Sequence, residues 1–445
     1  MPKSQPLDNL IPLIALLCMV SSSGWAQRNS SHPEDGPDQE LKEFRLDDLE
    51  AALRAMEPGV DHDYFAGVLA NRLNHIPESI QLMTSVLPGI RTARPDRAAI
   101  ALQALADDYT KSFQYDDAAR TYDDLLTHFS SQLKPQELQG VKDDAGIARI
   151  LRQAPPQTLT WNGAVKLKTE RNPLNSLNVE LTVNGVQGPW LLDTGANLSV
   201  VTKSFAERLG LNLLPGVAQT EGGLTGIENP LRVALLPTLQ MGGAALHNVV
   251  VMVLDDASLN INLGKQSYQI DGIIGYPVFQ ALGTITFLHH GEFVAGDKSR
   301  AAAAGARMYM KGLDPIVECN VNGNNLPFYF DSGASGTILL VRYYREFRSE
   351  SRTWKKGKEK TAGAGGVLKR KIYIKPQVKL GIGDKTVTLE KVSIYTSGKG
   401  TGSHNDLYGN LGQDIVANFE SFTLDFSTMT FSLGQSLSSS AHAEP

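Results

Sequence analysis

Cysteine is almost missing from this chain. Among its 445 residues only Cys18 and Cys319 occur. A disulfide-stapled scaffold is excluded, and so is a zinc site built on a cysteine cluster. Cys319 lies in the strand-like "PIVECNVNG" and reads as a small buried hydrophobe rather than a nucleophile. The metalloprotease pattern HExxH is also missing. The adjacent His289-His290 would point to opposite faces of a strand, so one ion is not expected to bind both; they fit a hairpin turn before Gly291. No metal and no cofactor is expected. Long apolar runs are lacking too. Ile11 to Val20 is the longest near the start, Pro12 interrupts it, and a bilayer needs about 20 residues. A large charge excess is absent: the net charge is −5, which does not suit a nucleic-acid binder.

The N-terminus has the features of an export signal. Lys3 precedes the short apolar run, and Gly24-Trp25-Ala26 puts small residues at the −3 and −1 positions of a cleavage site. Leu17 is too bulky to precede a lipidated Cys18. Residues 1–26 therefore read as a signal peptide, leaving a periplasmic or secreted chain without a membrane span. The alternative is an uncleaved anchor.

Residues 27–58 are polar and acidic, with Asp35-Gly36-Pro37-Asp38 as a breaker. They read as a linker with one short helix around Leu41 to Met56. Residues 59–155 show apolar positions at three- and four-residue steps, a helical pattern. In "LADDYTKSFQYDDAARTYDDLL", Leu105, Ala106, Tyr109, Tyr115, Ala118, Tyr122 and Leu125 fall where tetratricopeptide (TPR) repeats place packing residues. "GVLANRLNHIPESIQLMTSVLP" resembles a degenerate second copy. Two units are fewer than an independent solenoid needs, so a generic helical bundle is the competing reading. On either reading this region suits a protein partner better than chemistry.

From about Trp161 the texture becomes β. Short alternating strands are punctuated by Gly, Asn and Pro. Two such stretches, 160–298 and 306–435, flank the connector "SRAAAAG". Residues 436–445 read as a disordered tail.

These two stretches are copies of each other. "VNGVQGPWLLDTGA" (Val183 to Ala196) aligns without a gap to "VNGNNLPFYFDSGA" (Val321 to Ala334), at an offset of 138 residues. Gly275 in "DGIIGYPVF" follows Asp193 by 82 residues, and Gly412 in "YGNLGQDIV" follows Asp331 by 81. Between acid and glycine each copy has a Gly-rich turn, "EGGLTG" and "AGAGG". A lone Asp-Thr-Gly is an ordinary turn. Four features recurring twice in one order are not.

This constellation resembles the aspartic peptidases, and Ala196 and Ala334 resemble the retropepsin branch. The likeness covers about Trp161 to Leu433 and is strongest to bacterial retropepsin-like proteases with two lobes fused in one chain. It implies a mainly β fold: two retropepsin- or pepsin-like β-barrel lobes forming one bilobal unit, behind the α-helical N-terminal domain. It implies aspartic endopeptidase activity by a dyad of Asp193 and Asp331. Two carboxylates at close range cannot both ionise, so they share a proton and serve as base and acid. Sharing of this kind is established behaviour for aspartic proteases as a class. Separate roles for the two are not assigned by sequence.

The resemblance further implies that Thr194 and Ser332 bond across to the other lobe's backbone, and that Gly195 and Gly333 give room for amides near the carboxylates. Ile273, Ile274 and Gly275 match the apolar-apolar-glycine element that braces the catalytic loop. In Asn410, Leu411 and Gly412 the asparagine departs from it. Gly222, Gly223 and Gly226, with Gly363, Gly365 and Gly366, resemble flap tips over a peptide substrate bound as an extended strand. Two flaps or one are both compatible; "EGGLTGIENP" has no tyrosine like that of pepsin flaps.

Asp255, Asp256 and Asp414 read as surface or turn acids, and Asp271 as a residue that orients the bracing turn. Arg342 to Lys371 holds eleven Lys or Arg against three Glu. It reads as a solvated helix and hairpin, or as a preference for acidic substrate segments or a contact for the acidic linker. Two rival functions stand beside the peptidase: a non-catalytic peptide-binding module with a partner-recruiting helical region, and a zymogen-like form in which residues 27 to about 155 occlude the cleft.

Overall fold

The computed structural model describes residues 36–221, 228–263, 266–297, 305–363, 366–398 and 402–437. Residues 1–26, where a signal peptide is expected, most of the connector, the residues beyond Leu437, and Gly222, Gly223, Gly226 and Gly365 lie outside the described residues.

A helical region leads. Its helices are α1 (Pro37–Lys42), α2 (Leu46–Ala55), α3 (Val60–Arg72), α4 (Ile76–Ala93), α5 (Pro95–Lys111), α6 (Tyr115–His128) and α7 (Pro135–Leu151). From α3 onward each helix packs on the next, as consecutive antiparallel pairs do when loops are short. The two segments singled out in the sequence are α3–α4 and α5–α6. Both tight turns use a residue with positive φ, Asn74 at 60° and Phe113 at 60°. Proline at the start of α1, α4, α5 and α7 fits positions whose amides have no helical partner.

The acidic linker is corrected by the structure. Residues 37–55 form two helices instead of one, and both are packed. Leu41, Phe44, Leu46 and Leu49 are buried. Arg97 bonds Asp38 of α1 and Asp61 of α3 and lies over the rings of Tyr64 and Phe65. Phe44 stacks on Tyr309 of the β region at 5.8 Å, and Arg307 grips Asp47 and Glu50. The four apolar residues, thinly spread among acids, are enough to dock the segment.

The remainder is a large, mainly β mixed-sheet domain in which one strand plan occurs twice. In the first copy, Leu177–Val183 pairs antiparallel with Val186–Leu192. That strand pairs parallel with Gly272–Ile274, which in turn pairs antiparallel with Ser199–Thr202. In the second copy, Asp314–Val321, Asn324–Phe330, Gly409–Leu411 and Ile338–Leu339 repeat the same pairings in the same senses. Long hairpins follow in each: Glu228–Met241 with Ala244–Leu254, and Gly366–Ile382 with Lys385–Tyr395.

A six-stranded antiparallel sheet joins the copies. Its order is Val165–Arg171, Glu292–Ala295, Thr284–Leu288, Ser421–Asp425, Thr430–Leu433 and Ala306–Lys311. Equivalent strands meet at its centre. Thr286 opposes Thr423, with their hydroxyls 2.9 Å apart, and Phe287 stacks on Phe422 at 4.5 Å. The last copy extends past its expected end, since Ser436 bridges Phe419 and the Leu437 amide donates to the Asn418 carbonyl at 2.8 Å. His289 and His290 sit in the hairpin turn before Gly291. Cys319 is buried, and burial pushes its thiol pKa up. Among the described residues no helix is long and apolar enough to cross a membrane.

Replacing Phe44 by Ala should therefore cost about 3 kcal/mol of stability, as for a buried aromatic. Urea unfolding of the full chain would read this; an unchanged midpoint would mean that residues 36–56 do not pack.

Candidate active site

Val186–Leu192 carries Asp193 inward because it is flanked on both edges. Trp190, Leu191 and Leu192 are all buried, and Trp190 lies against Phe205 at 5.4 Å between ring centroids. The strand ends in a loop fixed at both sides. The Asp193 amide donates to the Ile274 carbonyl at 3.1 Å, and the Tyr276 amide to the Ala196 carbonyl at 2.8 Å. Ser199 Oγ accepts from the Gly275 amide at 3.1 Å. The second loop repeats each bond: Asp331 amide to Leu411 carbonyl at 3.0 Å, Gln413 amide to Ala334 carbonyl at 2.8 Å, and Gly412 amide to Thr337 Oγ1 at 3.1 Å. Ile274, Gly275, Leu411 and Gly412 thus stand directly behind the two loops. A Cβ on Gly275 would come within 2.6 Å of the Ala196 carbonyl oxygen, which explains why that place takes glycine.

The loops grip each other through their hydroxyls. The Thr194 amide donates to Ser332 Oγ at 2.9 Å, and the Ser332 amide donates to Thr194 Oγ1 at 2.9 Å. Each hydroxyl then donates onward, Ser332 Oγ to the Leu192 carbonyl at 3.1 Å and Thr194 Oγ1 to the Phe330 carbonyl at 3.3 Å. This brings Asp193 and Asp331 face to face. A Cβ on Gly195 would lie 2.7 Å from the Asp331 carboxyl, and one on Gly333 would lie 2.6 Å from Asp193 Oδ2. Only glycine lets each loop approach the other's acid this closely.

The two carboxyls are held differently. Asp193 Oδ1 accepts from the Gly195 amide at 2.8 Å. Asp331 Oδ1 accepts from the Gly333 amide at 2.8 Å and the Ala334 amide at 3.0 Å. Asn410 Nδ2 donates to Asp331 Oδ2 at 3.3 Å. Both side chains are 0 % exposed. Burial raises both pKa values above the usual carboxylate range, because a dry site disfavours charge. The neighbouring charge of Asp331 raises Asp193 further.

Several contacts here had no signal in the sequence. Tyr329 donates its hydroxyl to the Gly195 carbonyl at 2.8 Å and stacks on His404 at 4.3 Å; His404 Nε2 pairs with Asp314 at 3.0 Å. Ser176 Oγ donates to the Gly333 carbonyl at 3.2 Å, and Gln413 Nε2 to the Ser332 carbonyl at 2.6 Å. Asp414 is not a solvated acid: it is half-buried and accepts from the amide and hydroxyl of Thr337 at 2.8 and 2.6 Å. Asp256 accepts from the Ser204 amide at 3.0 Å. Asp271 is placed beside Arg208 at 3.4 Å, away from the dyad's bonds.

On the approach side, each copy has a hairpin arm. Ala218–Glu221 pairs with Glu228–Met241, and Lys355–Gly363 pairs with Gly366–Ile382, ending on Gly363 opposite Gly366. In the second arm Lys358 opposes Lys371 and Lys360 opposes Lys369, all exposed on one face. Helix α7 contacts both the Ala218–Glu221 arm and the short helix Gly402–Asp406 of the other copy. Among the described residues no His, Cys, Asp and Glu cluster could hold a metal ion.

Thr194→Val should cost about 2 kcal/mol, since it strands the Ser332 amide and the Phe330 carbonyl in a dry place. In a double-mutant cycle with Ser332→Ala the losses should be non-additive by about 1 kcal/mol, because both belong to one network. Denaturant unfolding measures both; additive losses would mean the loops are not coupled.

The model of the Aspartyl protease family matches residues 179–278, which hold the first loop and its bracing strand. A search of curated proteins gives no match. Among solved structures the chain is similar to conglutin gamma, a basic 7S globulin from lupine seeds. The identity is 12%, over 62% of this chain and 96% of that one, with a TM-score of 0.39. Basic 7S globulin from soybean gives the same figures, 12%, 62%, 96% and 0.39. A retropepsin-like aspartic protease from Rickettsia conorii is 20% identical over 31% of this chain and 92% of its own, with a TM-score of 0.22. Residues 179–278 form an aspartyl-protease-like domain.

Proposed function

We propose that this chain is an aspartic endopeptidase with Asp193 and Asp331 as its dyad. One observation carries the reading: the reciprocal Thr194–Ser332 bonds that set the two buried carboxyls face to face. A water between them would lose a proton to the ionised carboxyl as its oxygen attacks the peptide carbon. The protonated carboxyl would give its proton to the carbonyl oxygen, forming a tetrahedral diol. Collapse of the diol breaks the C–N bond and passes a proton to the departing nitrogen, and the dyad returns to one shared proton. The hairpin arms would close over a substrate strand, with the lysine face of the second arm favouring acidic segments. In this reading the chain is exported, and its TPR-like helices meet a protein partner.

Peptide-library cleavage by the full chain tests this. Asp193→Asn and Asp331→Asn should each lower kcat/KM by at least about 10³-fold. Cleavage that persists in either variant would overturn the dyad. The rate needs one proton on the pair, so activity should fall both when the pair gains a second proton and when it loses its last. Since burial raises both carboxyls, both limbs of the bell should lie above the ordinary value near 4. Limbs at or below that value would contradict the dry dyad.

A second reading has its own observation. Both reacting carboxyls are closed to solvent while α7 spans from the arm of one copy to the other copy. The helical region would then act as an occluding segment, or the chain as a peptide binder that does not cut. A specific protease site placed in residues 152–157 separates these. Higher cleavage after nicking supports occlusion, and equal cleavage removes it. No cleavage before or after nicking, from acid to neutral pH, favours the binder.

A further inference from the structure

The two halves of the site are copies, yet their bracing strands differ in kind at one place. Register sets Ile273 beside Leu191 in the first half and Asn410 beside Tyr329 in the second. Ile273 offers no hydrogen bond to the acid in front of it. Asp193 Oδ2 is buried facing Asp331 and receives no side-chain N–H donor from the strand behind it. Asn410 is 2 % exposed and donates to Asp331 Oδ2 at 3.3 Å, its only side-chain bond among the described residues. The amide's Oδ1 is buried without a partner, so no competing contact sets how it lies.

Among the described residues Asp331 thus receives three N–H donors, the Asn410 amide among them, whereas Asp193 is bonded by the Gly195 amide and drawn less by the Gly333 amide. Donors aimed at a carboxylate favour its charged form, and an oxygen with no donor favours holding a proton. We propose that Asn410 is a positioning residue that breaks the symmetry of the pair: it keeps Asp331 charged and leaves the shared proton on Asp193. In the same sense, burial and the facing charge of Asp331 both raise Asp193, whereas at Asp331 the Asn410 amide works against burial.

The catalytic consequence rests on the peptidase reading; the placement of the proton does not. Asp331 takes the proton of the attacking water, and Asp193 protonates the carbonyl oxygen as its π bond opens. Asp331 then passes its proton to the leaving nitrogen as the C–N bond breaks, and the diol returns a proton to Asp193. Among the described residues the other titratable or charged groups around the dyad include Tyr329, His404 behind it with its partner Asp314, Asp414 on Thr337, and Arg171, which reaches Ser332 through Gln413. None of them bonds to the Asn410 side chain.

The test uses the full chain and two readouts. Titration of the aspartate carboxyls by ¹³C NMR follows the dyad directly, and the pH profile of kcat/KM follows its catalysis. Asn410→Ile, which installs the residue of the first half, should raise the lower apparent pKa of the pair by about one unit, a tenfold change in proton affinity. The acid limb of activity should move up with it while KM stays nearly constant. Asn410→Ser withdraws the amide with less change in packing and should shift the value in the same direction. The swap Ile273→Asn with Asn410→Ile should bring the lower value back down by placing the donor on Asp193. A folded Asn410 variant with an unshifted titration overturns the proposal. If no peptide is cut, the NMR titration still decides the role of Asn410, and only the peptidase reading falls.

Discussion

The reciprocal bonds between Thr194 and Ser332 are the constraint on which the site depends. Two short hydroxyls each accept one amide from across the interface and each donate to one carbonyl. The arrangement satisfies every donor it buries, which a dry interface demands. It also fixes the approach of two loops that come from the two copies of the strand plan. The facing of the carboxyls, the need for Gly195 and Gly333, and the upward shift of both acids follow from that approach.

Dryness has a chemical role here as well as a structural one. A solvated pair of carboxylates would both ionise near pH 4 and repel. Closed to solvent, the pair retains a proton at higher pH, the state that the proposed acid and base chemistry would need. The cost is steric. Tyr329 caps the Gly195 carbonyl, Ser176 caps that of Gly333, and α7 reaches both copies. The closed acids are thus bordered by groups that also hold the halves together.

The acids were legible in the sequence because they recur. Neither Asp-Thr-Gly-Ala nor Asp-Ser-Gly-Ala says much alone, but the matched spacing to Gly275 and Gly412 places both loops on equivalent strands. The helical and β territories were legible from their periodicity. Other features left no local trace. The pairing of Thr284–Leu288 with Ser421–Asp425 joins residues far apart in the chain, and both strands look like ordinary hairpin members. Phe44, Leu46 and Leu49 were hidden by the acids around them, so a packed pair of helices looked like a linker. Asn410 read only as a departure from the bracing pattern because its partner, Asp331, is 79 residues away. Asp414 misled for the same reason, since its hold on Thr337 is invisible in a run of turn residues.

The duplication within one polypeptide has a consequence for how such a site can change. In a dimer of identical chains every substitution appears on both sides of the axis, and a new donor would serve both acids equally. A tandem chain carries no such obligation. Ile273 and Asn410, or Leu191 and Tyr329, are independent loci that mutate one at a time. One half can drift toward proton storage and the other toward charge, while the shared grip keeps them in register. Covalent linkage thereby turns the single solution open to a symmetric pair into two separately tunable ones.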